Sequence, residues 1–443
     1  MFPEFLLAGQ FVPCYIIFII VFSGGHGGIQ MCNAGRFRQV TLLVMVSLMY
    51  FFVNLQRAAI PGALFNQLQS AYDLTPSGVA SLGSGFTYVY AAAQLIVGLF
   101  IGRVGWIKTV RAGGVLFALG ALLFPLASSF PLAYACRIVT GLGAGCVYLS
   151  AVQMTMEIFP EKFSMALGIN LIIGFAGGVV ANAPLTAVER VFGWKSVLLA
   201  VGVALAVLYV SWVLISVGAK NIVQDKKDEC GSLKAVFTRK SNWYIWVFNW
   251  VNFGLFYVIQ TVIGKKYLED FAGFTPSQAA MIFSVTGIIA ACSGVAQAYL
   301  SDLSGGRKTI FCKGATIVAL VVFLGQISML LSAKCSVLCA ALFCLLAATA
   351  TMSALTIPLL RDSNSGSSFG LAAGMMNFGN YMTVALFGDL AGFLVGLYPA
   401  RVVDGVKVYG NSSYIALFAA LIVFIAPSMA CAWLMKDKIQ DKK

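Results

Sequence analysis

Long stretches of low charge, each about twenty residues, recur along this 443-residue chain. They lie at about 40–59, 79–101, 109–130, 132–155, 166–187, 196–217, 243–263, 278–300, 310–331, 335–358, 370–396 and 413–433. About twenty apolar residues in a helix cross the roughly 30 Å of hydrocarbon in a bilayer. Apolar and polar positions do not alternate with a period of two in these stretches, which argues against a transmembrane barrel. Away from water, a spanning backbone must satisfy its own hydrogen bonds, and a helix does so within one segment. The expected fold class is therefore an all-α polytopic membrane protein with twelve transmembrane helices.

The polar punctuation between the stretches repeats. Leu74-Thr75-Pro76-Ser77 is matched two hundred residues later by Phe274-Thr275-Pro276-Ser277, and Gly102, Gly105 and Lys108 align at the same offset with Asp302, Gly305 and Lys308. Two agreements at one offset predict two pseudo-symmetric six-helix bundles. Boundaries fall at residues 36–217 for the first bundle, 218–242 for a polar cytoplasmic linker, 243–434 for the second bundle and 435–443 for a cytoplasmic tail. Bundles related in this way suit alternating access to a site between them. Residues 1–35 stand apart, with an apolar run from Phe5 to Phe22 broken by Gln10 and Pro13 and followed by a glycine-rich segment around His26. An N-terminal extension, disordered or interfacial, is expected there, with a thirteenth helix or an atypical targeting segment as the alternatives.

Composition sharpens the class. Only 10% of residues are charged and 60% are hydrophobic, against about 25% charged in an ordinary soluble domain. The formal charge of +13 invites a nucleic-acid reading until its distribution is considered. With the first span entering from the cytoplasm, 20 of the 29 basic residues fall on the cytoplasmic side, seven fall outside, and Arg57 and Arg137 lie within spans. That bias is the positive-inside pattern, so no nucleic-acid partner is expected and both ends of the twelve-helix body are placed in the cytoplasm. A plasma membrane or bacterial inner membrane follows as the location. The eleven cysteines are odd in number and mostly sit in or beside spans, where a thiol packs as a small hydrophobe. With one histidine, a metal cluster is not expected. No phosphate-cradling loop and no nucleophile-base set appears, so neither an enzyme nor an ATP-driven pump is expected, and no cofactor.

Arg57 is the only charge between Val40 and about Phe65. A guanidinium is costly in hydrocarbon, so it should face a cavity or a partner, where its planar fork suits a carboxylate or phosphate. The structural alternative is an arginine neutralised from another helix or reaching outward to the interface. At the 200-residue offset, Arg57 corresponds to Tyr257, which could line the opposite wall. Tyr88, Tyr90 and Gln94 in the second span, Asn170 and Asn182 in the fifth, and Asn249, Asn252 and Gln260 in the seventh are further polar candidates for substrate contact or helix packing. Asp389 is the carboxylate set well inside a late span and is the candidate for proton coupling, with an interfacial ion pair as its rival. Arg137 is a candidate for cavity lining, coupling or gating, and Glu157 for an inner gate. Asn411-Ser412-Ser413 fits an N-glycosylation acceptor.

The loop Gly98 to Lys108 and its copy Ser301 to Lys308, together with Arg137-Ile138-Val139-Thr140-Gly141 continuing to Gly145, resemble the major facilitator superfamily over about residues 40–434. The loop motif of that family has Asp-Arg between glycines, and this chain places Gly102 before Arg103 in the first copy and Asp302 in the second. The resemblance implies charge contacts through Arg103, Lys108, Asp302 and Arg307 that hold one conformational state, and the missing carboxylate weakens such a lock in the first half. Arg57-Ala58-Ala59-Ile60-Pro61, Tyr72-Asp73-Leu74-Thr75-Pro76, Tyr90 through Gln94 and Phe192-Gly193-Trp194-Lys195 resemble the organic anion:cation symporter branch. That likeness implies a monomeric secondary transporter, surrounded by membrane lipids, importing a small organic anion with a coupling proton or sodium. A proton-coupled exporter of a drug-like compound or metabolite is the alternative, and a non-transport membrane receptor a further one.

Overall fold

A computed structural model of the chain describes residues 34–160, 162–219, 233–332, 336–364 and 367–437. The expectations for residues 1–33, the centre of the linker and residues 438–443 lie outside the described residues. Among the described residues, ten helices are long and apolar enough to cross a membrane, or eleven if Met165–Val180 and Ala183–Phe192, bent by 43°, form one span. This polytopic, predominantly helical body differs from the twelve uninterrupted spans expected at two places, the bend between Val180 and Ala183 and a break further on. The low-charge stretch 335–358 carries Ser336–Ala347, only 12 residues long, then a turn, then Ser353–Ser363. Side chains from neighbouring helices cap the carbonyls freed by this break: Gln297 donates to the Ala348 carbonyl at 2.6 Å and Asn252 to that of Thr349 at 2.9 Å. Hydropathy averages across such a break because its polar partners come from elsewhere in the chain.

The 200-residue repeat is visible in the backbone. Helix α1 (Ala34–Ala58) and the helix Lys240–Val258 each run into a five-residue π segment, Ala59–Ala63 and Ile259–Ile263, and then a short helix, Phe65–Ala71 or Gly264–Asp270. In the first copy the Ile60–Pro61 bond is cis. Next come long helices, Pro76–Val104 and Pro276–Leu303, with Thr75 and Thr275 as N-caps and proline at the first helical turn. Thr75 accepts from the Gly78 amide at 3.2 Å. Thr275 and Gln278 close a reciprocal capping box, which satisfies two amides that the helix start leaves free. Gly105 and Gly305 both adopt positive φ, 81° and 78°, where a side chain is disfavoured.

Outside the helices, Arg401–Val403 and Val406–Val408 pair as an antiparallel hairpin through Asp404 and Gly405, both at positive φ. The hairpin marks one end of the molecule, called here the hairpin end. Toward this end the two halves are pressed together. Pro76–Val104 and Ser367–Gly396 pack along one another, and a Cβ on Gly392 would stand 2.6 Å from that of Ala80. Likewise, a Cβ on Gly62 would meet the Thr261 carbonyl oxygen at 2.7 Å. At the far end of Pro76–Val104, Ile96, Leu99 and Phe100 are exposed.

Two sequence expectations change on folding. Lys265 and Lys266, counted among loop cations, lie in the helix Gly264–Asp270 and are buried, paired with Glu269 and Asp270 one turn on. The spacing permits this, since residues four apart share a helix face. Within the expected linker, the helix Leu233–Thr238 buries Val236 against Trp246 and Leu355, so that part is packed, while Arg239 and Lys240 remain exposed.

Candidate functional site

Arg57 sits one turn before the break in the first span and is 4% exposed. One of its terminal nitrogens donates to Asn54 Oδ1, while Nη1 has no hydrogen-bond partner among the described residues. Among the described residues, no carboxylate forms an ion pair with it. Three rings surround the guanidinium carbon, Tyr381 at 5.0 Å, Tyr257 at 5.5 Å and Tyr90 at 5.9 Å from their centroids. Such contacts contribute up to about 2 kcal/mol each when desolvated, whereas the cost of burying a charge is several kcal/mol. The aromatic box thus softens the penalty without cancelling the charge. Arg57 and Tyr257 line one cavity with Asn54, Gln260, Thr261 and Thr351, between both halves of the chain. In this form it offers about 40 Å³, space for a few waters.

The other candidates separate into distinct neighbourhoods. Tyr90 packs edge-on against Tyr381, at 4.7 Å between centroids, and accepts from Gln94 Nε2 at 2.7 Å, while Gln94 Oε1 accepts from Asn377 of the second half. These residues back the arginine. Tyr88 lies apart from them and donates to Asp389 Oδ2 at 2.9 Å; Ser84 donates to the other carboxylate oxygen. Asp389 therefore bridges to the first half through two hydroxyls and has no ion pair among the described residues. Asn252 caps the break near Thr349, Asn170 joins Ser47 to Thr155, and Asn249 joins Asn380 to Thr356. Asn182 donates to its own helix at Gly178, at 2.8 Å.

Arg137 is 1% exposed and supports the break beyond Arg57. It donates to the Leu82 carbonyl at 3.0 Å and the Ile60 carbonyl at 3.3 Å, with Phe86 beneath it at 4.5 Å. Ile60 has non-helical φ and ψ, so its carbonyl needs a donor from outside its helix. Glu157 accepts from Trp106 at 2.7 Å and Gln153 at 3.0 Å within the first half.

A group that the sequence did not single out seals the hairpin end. Lys265 donates to the Ala63 carbonyl at 2.6 Å and pairs with Glu269 at 3.4 Å; Glu269 accepts from Asn66 at 2.7 Å. These contacts join the second half to the first. Asp270, in contrast, takes Lys266, the Tyr409 amide and the Tyr414 hydroxyl, all from its own half. Gln69 to Tyr409 at 2.6 Å and Lys407 to Asp73 at 3.0 Å complete the seam. Its one advance signal is the paired i, i+4 charges in Lys265-Lys266-Tyr267-Leu268-Glu269-Asp270.

The family profile described as Major Facilitator Superfamily matches residues 46–388. The chain belongs to the Major Facilitator Superfamily. Membership makes it a multi-pass integral membrane protein. Similar proteins include the probable sulfoacetate transporter SauU of Cupriavidus necator, 24% identical over 162 residues, which are 36% of this chain and 37% of that one. Human monocarboxylate transporter 14 is 28% identical over 125 residues, 28% of this chain and 24% of the relative. The matched part of the chain thus spans well under half the length of either relative. Among solved structures, a bacterial homolog of the human lysosomal transporter Spinster, inward-facing and unoccupied, has a TM-score of 0.70 at 15% identity, covering 92% of this chain and 98% of that chain. A mutant of the nucleoside transporter NupG has a TM-score of 0.65 at 12% identity, covering 89% and 98%. At these identities the likeness is one of fold. In this superfamily member the loop residues Arg103, Lys108, Asp302 and Arg307 are exposed or half-exposed and, among the described residues, form no ion pairs.

Proposed function

We propose that this chain is a secondary active transporter, not an enzyme, that imports a small organic anion by alternating access, driven by a coupling proton or sodium. The observation carrying the reading is Arg57, a buried cation with an unpaired Nη1, lining a cavity between the halves with no described carboxylate in ion-pair reach. An anionic group would supply both the missing charge and the missing acceptor. The broken stretch Ser336–Ala347 plus Ser353–Ser363 acts as one span and the bent pair as another, giving twelve spans in two six-helix bundles. With the basic ends cytoplasmic, the sealed hairpin end faces outward and this form is open inward. Asp389 is the coupling carboxylate, since protonation would remove an acceptor from a bridge between the halves.

The test is uptake into vesicles holding the purified protein, with proton and sodium gradients imposed separately. Arg57→Lys keeps a charge but loses the planar fork; it should lower anion uptake by about ten- to a hundredfold, the loss of a charge-assisted hydrogen bond. Arg57→Ala should abolish uptake. Asp389→Asn should lose gradient-driven accumulation while keeping exchange between preloaded vesicles. Normal uptake by both Arg57 variants would sink the anchor assignment, and accumulation by Asp389→Asn with unchanged pH dependence would exclude that residue from coupling.

A further inference from the structure

The polar groups around Arg57 are largely committed to the protein itself. Of the fourteen residues lining the cavity, Arg57 is the only charged one, and the polar remainder are Asn54, Tyr257, Gln260, Thr261 and Thr351. Asn54 donates its amide to the Tyr50 carbonyl and accepts from Arg57. Gln260 donates to the Phe283 carbonyl at 2.9 Å and accepts from Thr286 at 2.7 Å. Thr261 and Thr351 give their hydroxyl protons to the carbonyls of Tyr257 at 2.8 Å and Ala290 at 2.6 Å. Among the described residues, Arg57 Nη1 and the Tyr257 hydroxyl stand without a hydrogen bond, while the amides of Asn54 and Gln260 each use one of their two N–H groups. The rest of the wall is alanine, glycine, valine and phenylalanine.

We infer that the substrate is a single-headed organic anion: one carboxylate or sulfonate on a body poor in hydroxyls. The inference rests on the anion reading above and narrows it. One cation neutralises one negative charge, and a second anionic group entering this cavity would be desolvated with no lining residue to pair with it. A polyhydroxylated anion fares little better, because each hydroxyl loses its water and the wall offers only the second N–H of two amides and the remaining lone pairs of a few partly committed oxygens in exchange. An apolar body gives up nothing on entering and meets Phe175, Val179 and Phe256. The phenol of Tyr257 and the free nitrogen of Arg57 together supply two donors, one for each oxygen of a carboxylate or for two of the three oxygens of a sulfonate.

Four small probes separate these terms in calorimetric titration of the purified full-length chain at neutral pH: butyrate, succinate, gluconate and butyramide. Butyrate should bind. Succinate, with a second charge, and gluconate, with five hydroxyls, should each bind weaker by about tenfold or more. Butyramide, the same body without a charge, should show no binding, and Arg57→Ala should lose butyrate while keeping the wild-type melting profile. Succinate or gluconate binding as tightly as butyrate would overturn the single-headed class and leave the anion site standing. Butyramide binding as well as butyrate, or no binding by any of the four, would overturn both.

Discussion

Two buried arginines of the first half use the same chemistry for different ends. Among the described residues each leaves Nη1 without a hydrogen-bond partner, but Arg137 spends its other nitrogens on the carbonyls of Leu82 and Ile60, whereas Arg57 donates to Asn54 alone. Arg137 therefore acts on position: it holds the segment Ala59–Ala63 in place just after Arg57. Replacing it with alanine leaves a carbonyl at a helix break without its donor, a loss of about 1–3 kcal/mol. A lowered melting temperature for Arg137→Ala is the expected result. Arg137→Lys, which reaches one carbonyl at a time, should recover part of the loss, and the order of preference among anions should stay as in wild type. A changed preference in Arg137→Lys would instead place this side chain in the substrate's path. How far these roles were legible follows from where partners sit in the chain. Arg57 and Tyr257 could be paired in advance because they share the repeat offset, and the structure brings them to 5.5 Å. Tyr381, the nearest ring, belongs to no such pair, and Arg137 could not be distinguished from Arg57 because the carbonyls that hold it carry no signature in sequence.

At the scale of elements, the short helices after the two π segments form the seam, and the charges of Gly264–Asp270 divide between seam and scaffold. Glu269 and Lys265 reach across to Asn66 and Ala63; Asp270 and Lys266 turn back onto Tyr409, Tyr414 and the Lys407 carbonyl. Sequence pattern located these lysines but read them as loop charges, because hydropathy cannot show that a charged helical turn is folded inward against the other half of the chain. The division has consequences that differ between neighbours. Glu269→Gln removes the negative partner of a buried lysine, which should loosen the closed hairpin end and raise the labelling rate of a cysteine placed at Gln67 by about tenfold or more, a shift of about 1.4 kcal/mol in the closing equilibrium. Asp270→Asn should lower the melting temperature instead, because its partners lie within one half. Equal labelling in wild type and Glu269→Gln would show that the seam is held by apolar packing alone.

For the whole molecule, the superfamily fold and the sealed end fit together through small residues. Hydropathy was enough to anticipate a helical polytopic body, and the repeated Thr-Pro pairs stand where Pro76–Val104 and Pro276–Leu303 begin. Which end would be closed was not legible, since closure depends on contacts between residues some three hundred positions apart, such as Ser84 with Asp389. Gly392 is the sharpest of these contacts: a Cβ there would stand 2.6 Å from Ala80 Cβ and 2.9 Å from the Pro76 carbonyl oxygen. Gly374, in the same helix, would meet nothing within 4 Å. A leucine at Gly392 should thus wedge the hairpin end apart and arrest the cycle with that end open, whereas a leucine at Gly374 leaves the movement free. Uptake and exchange in vesicles should both be lost in Gly392→Leu, with anion binding retained, because in the proposed cycle binding uses Arg57 in an open cavity and exchange needs the halves to close again. Gly374→Leu, carrying the same added bulk and the same loss of a helical glycine, should exchange at close to the wild-type rate. Exchange by Gly392→Leu at the rate of Gly374→Leu would mean that the halves pass through transport without closing here, and the rocking of two bundles about Arg57 would have to be abandoned.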